Sequence, residues 1–361
     1  MSNNRIFKLD VMRTFAIICV ILCHSSEKIY TFNDAVHISD LSILSRIFMI
    51  VTFTIGRLGV PFFLFLSGIL LLRKAINTDI DIFQFYKKNL LPLLISYELW
   101  IIIYNIYSII TKTAVVTIAS FLKEVFFLQN SAISSMWYIP MIIGIYLGIP
   151  LIAKIVKDFS YNSILIIMIV IFLYYFVIPG LNIYFNVFGV KEYYNITINI
   201  PFMGAEYGLY LLAGYYIYKY QNIKINKIIV ALIGIVCFLL TVYIQIYSLN
   251  NIATNVYRVW YNFPLLFICS ICSFILLNRI EYDGLNGKIK SLCTYISKYS
   301  LGIFYIHSII SEIIVSYIKN ISIKLSLIML IVFVLTFVIS FVCVHLLSKS
   351  KVISKRLFLI K

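Results

Sequence analysis

Charge is what this sequence has least of. Of its 361 residues only 12% are Asp, Glu, Lys or Arg, against about 25% in a soluble domain. A water-soluble fold of this size is excluded, because it lacks the polar side chains to cover its surface. Acidic residues are the scarcest part of that small set, 14 against 30 basic ones, which leaves a net charge of +16. Cysteine is sparse as well, and 7 in a chain of this length do not make a disulfide scaffold. With 7 Pro and 14 Gly, little interrupts the apolar runs. What fills the chain instead is apolar: 62% of residues are hydrophobic and the mean hydropathy is +0.99. Disorder needs the opposite composition. The class that remains is an integral membrane protein with many spans.

A spanning helix needs about 20 mostly apolar residues. Ten such segments are expected, at about 9–25, 45–72, 87–110, 135–153, 161–180, 199–218, 227–248, 258–278, 295–316 and 324–347. The second is too long for one straight span and should break near Gly56–Pro61. Barrel strands would be alternating segments of about 10 residues, whereas these runs are continuous and twice as long. The fold class expected is therefore all-α, a polytopic membrane helix bundle forming a single domain, with no separate soluble domain. No internal repeat is visible, so transporter folds built from inverted repeats gain no support.

Basic residues set the orientation. With the N-terminus inside, 19 Lys and Arg fall on inner segments and 8 on outer ones, while Arg13, Arg57 and Lys298 lie within or at the ends of spans. This bias supports both termini in the cytoplasm, and it accounts for the +16 without nucleic acid. The first span carries Arg13 and no small-x-small site follows it, so it does not read as a cleaved signal. The outer segment 111–134 contains AVVTIASFLKEVFF, suited to an amphipathic helix on the membrane surface. Cys269 and Cys272 form a lone CxxC inside an apolar run, which reads as packing, and no metal site is expected. Asn195-Ile-Thr197 and Asn320-Ile-Ser322 match the glycosylation triplet. The Ile, Lys, Asn and Tyr richness points to a bacterial chain, in which those triplets carry no meaning.

An ionisable group within a membrane costs at least about 2.5–3.5 kcal/mol on insertion scales. Each one is therefore a functional candidate: Arg13, His24, Arg57, Glu98, Glu206, His307, Glu312 and His345, with Asp10 at the inner edge of the first helix. Arg13 and His24 are 11 residues apart. At about 100° per residue they share one face, with about 16 Å of rise between them. Asp10 is three residues before Arg13 and can pair with it. One helix thus presents a cation near the inner surface and an imidazole past the midplane, which suits a long anionic donor entering from the cytoplasm. The structural alternative is that Arg13 snorkels to headgroups and His24 bonds a neighbouring helix. The second span, GRLGVPFFLFLSGILLLRK, is punctuated by Arg57, Pro61, Ser67 and Gly68. Pro61 removes a backbone donor and kinks the helix. The ninth span, YSLGIFYIHSII, places His307 near the midplane beside Tyr305 and Ser308. Trp137 and Trp260 fall near outer span ends, as an aromatic belt does.

Taken in order, these pieces resemble the integral membrane acyltransferases called acyltransferase 3. FKLDVMRTFAIICVILCHS carries the Arg, ten residues, His spacing of that family's first helix. GRLGVPFFLFLSGILLL resembles its second-helix pattern. YKKNLLPLL holds a basic pair before a Pro, with Lys87 and Lys88 where the family often has Arg. MWYIP, LYLLAGYYIYK and YSLGIFYIH are similar to its fourth-, sixth- and ninth-helix segments. The resemblance spans residues 5–347.

The resemblance implies a ten-helix enzyme of the cell membrane that takes an acyl group, usually acetyl, from cytoplasmic acyl-CoA. The acceptor it implies is a hydroxyl of a surface or lipid-linked carbohydrate. Acyl-CoA is then a donor substrate and no metal is required. His24 is the expected base, Arg13 an anchor for the donor, and Arg57 a contact for the oxyanion or an acceptor anion. Asp10, Ser67, Tyr305, His307, Lys87 and Lys88 are expected to line the substrate path. Two rivals share the polar spans: a carrier exporting an oligosaccharide or related solute, and a non-catalytic partner in a polysaccharide assembly complex. Coenzyme A binding separates the enzyme from both.

Overall fold

The computed structural model describes residues 6–32, 38, 41–131, 133–190, 192–197, 204–251, 259–318 and 323–360. Asn320–Ser322 of the second triplet, and Arg5, Lys191, Arg258, Lys319 and Lys361 of the charge count, lie outside the described residues. Among the described residues there is no strand. Among those residues, seven helices are long and apolar enough to cross a membrane. They are Ile43–Leu71, built of α2 (Ile43–Gly56) and α3 (Gly59–Leu71); α4 (Asp79–Thr111); α6 (Ser134–Asp158); α7 (Tyr161–Val187); Lys227–Leu249 within α9 (Lys227–Asn251); α11 (Gly287–Ile318); and α12 (Leu325–Leu347).

The other three expected spans are helical too, and each differs from a plain apolar span for a visible reason. The first, α1 (Phe7–Ile29), carries Lys8, Asp10, Arg13, Glu27 and Lys28. The sixth, α8 (Glu206–Lys219), has 14 residues, and 198–203 before it lie outside the described residues. The eighth, α10 (Pro264–Asn278), has 15 and starts at a proline, the position where a missing N–H costs nothing. Two shorter helices among the described residues are α5 (Ile118–Val125), within the segment read as amphipathic, and α13 (Lys351–Arg356).

α1 is the axis of the bundle. It packs against α2, α3, α10, α11 and α12. Its neighbour α3 lies backbone to backbone on α8, because Gly68 and Gly214 leave no side chain between them. A Cβ on Gly68 would stand 1.9 Å from the Leu211 carbonyl oxygen, and one on Gly214 would stand 2.3 Å from Phe65 Cα.

Prolines shape the elements that matter for the site. Pro61 has no N–H to offer the Arg57 carbonyl, and the helix breaks between Gly56 and Gly59, with Arg57 and Leu58 in the break. Pro92 likewise leaves the Lys88 carbonyl without its i+4 donor. The chain widens there into a π-helical turn, Tyr86–Leu90, in which the Leu91 N–H donates to the Tyr86 carbonyl. Pro179 goes with the same kind of turn at Leu173–Val177.

After α13 the chain folds back onto α4. The Ser96 hydroxyl and the Trp100 indole N–H both donate to the Leu357 carbonyl, at 2.8 and 3.2 Å. Phe358 is buried beside Trp100.

Candidate active site

The first half of α1 opens on a cavity. The Ser297 hydroxyl of α11 donates to Asp10 Oδ1 at 2.7 Å and accepts from Arg13 Nη1 at 3.5 Å, tying the acid and the cation to one point. Arg13 then lines a cavity of about 540 Å³ together with Ser67 of α3, Lys87 and Lys88 of the π-helical turn, and Lys355 of α13. Among the described residues, four cations and no acidic side chain line it. Its remaining walls are largely apolar, among them Leu66, Pro92, Ile142 and Leu359. Along α11 the lining runs from Ser300 and Leu301 to Phe304. There Phe304 packs edge-on against Tyr138, ring centroids 5.6 Å apart.

Behind Phe304 stands a different kind of site. Its ring lies 5.7 Å from that of His307, which in turn lies 5.3 Å from that of His24. His307 is fully buried, and its Nδ1–H donates to the Phe304 carbonyl. That carbonyl only accepts, so the lone pair of His307 is on Nε2, which accepts from the Ser308 hydroxyl at 3.3 Å. Ser308 is 2.6 Å from the Ser135 hydroxyl.

His24 is oriented by the same logic. Its Nδ1 is 3.0 Å from Glu27 Oε2, one turn further along α1. A carboxylate accepts, so Nδ1 carries the proton and Nε2 is left as the base. The second oxygen of Glu27 accepts from Arg57 Nη2 at 3.1 Å. Glu27 therefore joins the histidine to the arginine.

Arg57 is held on every side. It is 3% exposed, and its Nη1 donates to the Tyr261 hydroxyl at 3.1 Å. Its guanidinium carbon lies 4.6 Å from the centre of the Phe53 ring and 4.7 Å from that of Trp260. Its Nε–H has no hydrogen-bond partner among the described residues. Trp260 packs on Trp137 at 5.2 Å, and its indole N–H donates to the Tyr207 hydroxyl at 3.1 Å. The two tryptophans read as belt residues thus form one aromatic cluster around Arg57. The centre is not sealed on this side: Trp260 is 40% exposed, and the side chains of His24 and Glu27 keep 23% each. Lys28, paired with Glu312 at 3.2 Å, donates to the Ser308 carbonyl at the same distance.

A family model described as an acyltransferase domain matches residues 6–345. The chain belongs to this acyltransferase family. No curated protein and no solved structure gave a match. Acyltransferase chemistry in a helical bundle fits a multi-pass membrane protein.

The acyltransferase fold sorts the residues singled out by sequence into two groups. Arg13, Ser67, Lys87 and Lys88 line the cavity. His24, Arg57 and His307 meet behind it. Asp10 reaches the first group through Ser297. Tyr305 joins neither: it is fully buried, stacked face-on to Trp100, with its carbonyl accepting from the Tyr104 hydroxyl. His345 bonds the Tyr299 hydroxyl instead. Sequence reading missed Glu27, because the first span was ended at residue 25. The signal was present, since Glu27 sits at the i+3 position from His24, which shares its helix face. It also missed Tyr138, Phe304 and Lys355, whose spacing carries no such mark. No group of three His, Cys, Asp or Glu suited to a metal stands among the described residues.

Proposed function

We propose that this acyltransferase moves an acyl group, acetyl in the first instance, from cytoplasmic acyl-CoA to a hydroxyl of a cell-surface or lipid-linked carbohydrate. Its setting is the cell membrane of a bacterium, with both chain ends in the cytoplasm. The observation that carries this reading is the contiguity of a four-cation cavity with an oriented histidine. Arg13, Lys87, Lys88 and Lys355 supply the charge that the phosphates of coenzyme A need. The thioester arm reaches past Phe304 and Tyr138 to the histidines.

His24 is the general base. Its Nε2 takes the proton of the acceptor hydroxyl as that oxygen attacks the thioester carbonyl carbon. Collapse of the tetrahedral intermediate breaks the C–S bond, and the imidazolium returns the proton to the departing thiolate. Glu27 stabilises the imidazolium and fixes the tautomer. Arg57 stabilises the oxyanion as a positive charge whose place is fixed by Glu27 and Tyr261. The acceptor enters from the end where Trp260, His24 and Glu27 keep their exposure. An exposed indole beside a cation presents a face on which a pyranose ring stacks.

The test is equilibrium binding of labelled acetyl-CoA to the purified, detergent-solubilised protein. Saturable binding, weakened by added salt, is expected. Absence of binding would contradict the enzyme and favour a carrier, which has no use for the donor.

A further inference from the structure

The segment that follows α12 lies beyond the family match, which ends at residue 345. We infer that this C-terminal segment is a donor-binding element, with Lys355 contacting the phosphate-bearing end of the acyl donor. The inference rests on the acyl-CoA reading above and adds a subsite to it.

Three observations meet here. First, the segment is fastened to the bundle rather than laid on it. Two donors of α4, Ser96 and Trp100, converge on the single carbonyl of Leu357 at 2.8 and 3.2 Å. A fastening of this kind satisfies two polar groups that burial would otherwise leave costly. Second, Phe358 is 1% exposed, so the segment is anchored by a side chain as well as by its backbone. Third, the residues on either side of that anchor face the cavity. Lys355 lines it from one side, and Leu359 and Ile360 from the other. The segment thus adds one of the four cations and part of the apolar wall.

The chemistry names the ligand class. A cavity lined, among the described residues, by four cations and no acid, and walled largely by apolar groups, suits a polyanion attached to a less polar arm. A phosphate-bearing thioester has that form. Lys355 is exposed, so a phosphate reaches it without desolvating a buried group.

The experiment measures coenzyme A binding to the purified full-length protein, with Lys355→Ala beside Lys351→Ala. Lys351 lies on the same helix and does not line the cavity. Lys355→Ala should weaken coenzyme A about fivefold and Lys351→Ala less than about twofold. Lys355→Arg should keep most of the affinity, because it keeps the charge. Phe358→Ala, which loosens the anchor and leaves every cation in place, should weaken binding by a similar factor. A second readout needs no turnover: coenzyme A should slow tryptic cleavage after Arg356 in the parent protein and should not do so in Lys355→Ala. If the parent binds coenzyme A and Lys355→Ala and Phe358→Ala bind it equally well, the inference is overturned. If the parent does not bind coenzyme A at all, the donor reading itself fails, which is a separate result.

Discussion

The cavity and the centre behind it hold similar residue types in opposite states. In the cavity, Lys87, Lys88 and Lys355 are exposed, and among the described residues no acidic side chain lines it. In the centre, Arg57 is buried, paired with Glu27 and Tyr261 and packed between aromatic rings, and Glu27 in turn fixes His24. Unpaired cations attract an anion over a distance and let it go again. A buried cation with its geometry fixed by partners does little for capture, but it stabilises charge that forms at one point. The same contrast appears in the bundle at large. The Ile43–Leu71 span, which carries Arg57, is 72% buried over its apolar window, whereas Tyr161–Val187 is 17% buried and turns most of its surface outward. The span that carries Arg57 is thus the more enclosed of the two.

This division predicts that variants behind Phe304 change turnover and variants in front of it change donor affinity. The largest effect is expected for His24→Ala. At saturating donor it should lower turnover by about 10²–10⁴-fold. Arg57→Lys keeps the charge but loses the forked geometry, and about 10²-fold is expected in turnover, with the donor constant unchanged. Glu27→Gln should cost about 10–10²-fold, because the amide oxygen still accepts from Nδ1 while the imidazolium loses its counter-charge. Arg13→Ala inverts the pattern: the donor concentration for half-maximal rate should rise about tenfold while the limiting rate holds. Lys88→Ala is the smallest, about two- to threefold in the same constant, as befits an exposed cation. Steady-state kinetics in donor concentration measures all five. A His24 variant that loses only donor affinity, or an Arg13 variant that loses only turnover, breaks the division.

How much of this was legible beforehand depends on the kind of signal. Arg13 and His24 share a helix face by arithmetic, so their common interior was readable from spacing. The break at Arg57 was readable from Pro61. That Arg57 meets Glu27 was not, because it joins residues 30 positions apart on separate helices, and pairing of that kind leaves no periodic trace. Trp137 and Trp260 fell to an aromatic-belt reading, since sequence gives depth in the membrane but not which way a ring turns. Tyr305 was drawn toward the site by its place two residues before His307, yet on a helix that offset is about 200° and turns it to Trp100. The C-terminal wall was invisible because its anchor is a backbone carbonyl, which any residue supplies.

The most direct test separates capture from chemistry in one preparation. Parent protein and His24→Ala are each given labelled acetyl-CoA and envelope glycan stripped of its esters by mild alkali. Bound donor and label transferred to glycan are then measured side by side. The account predicts donor binding within about twofold of the parent and transfer at background in His24→Ala. Transfer at the parental rate in that variant would contradict it.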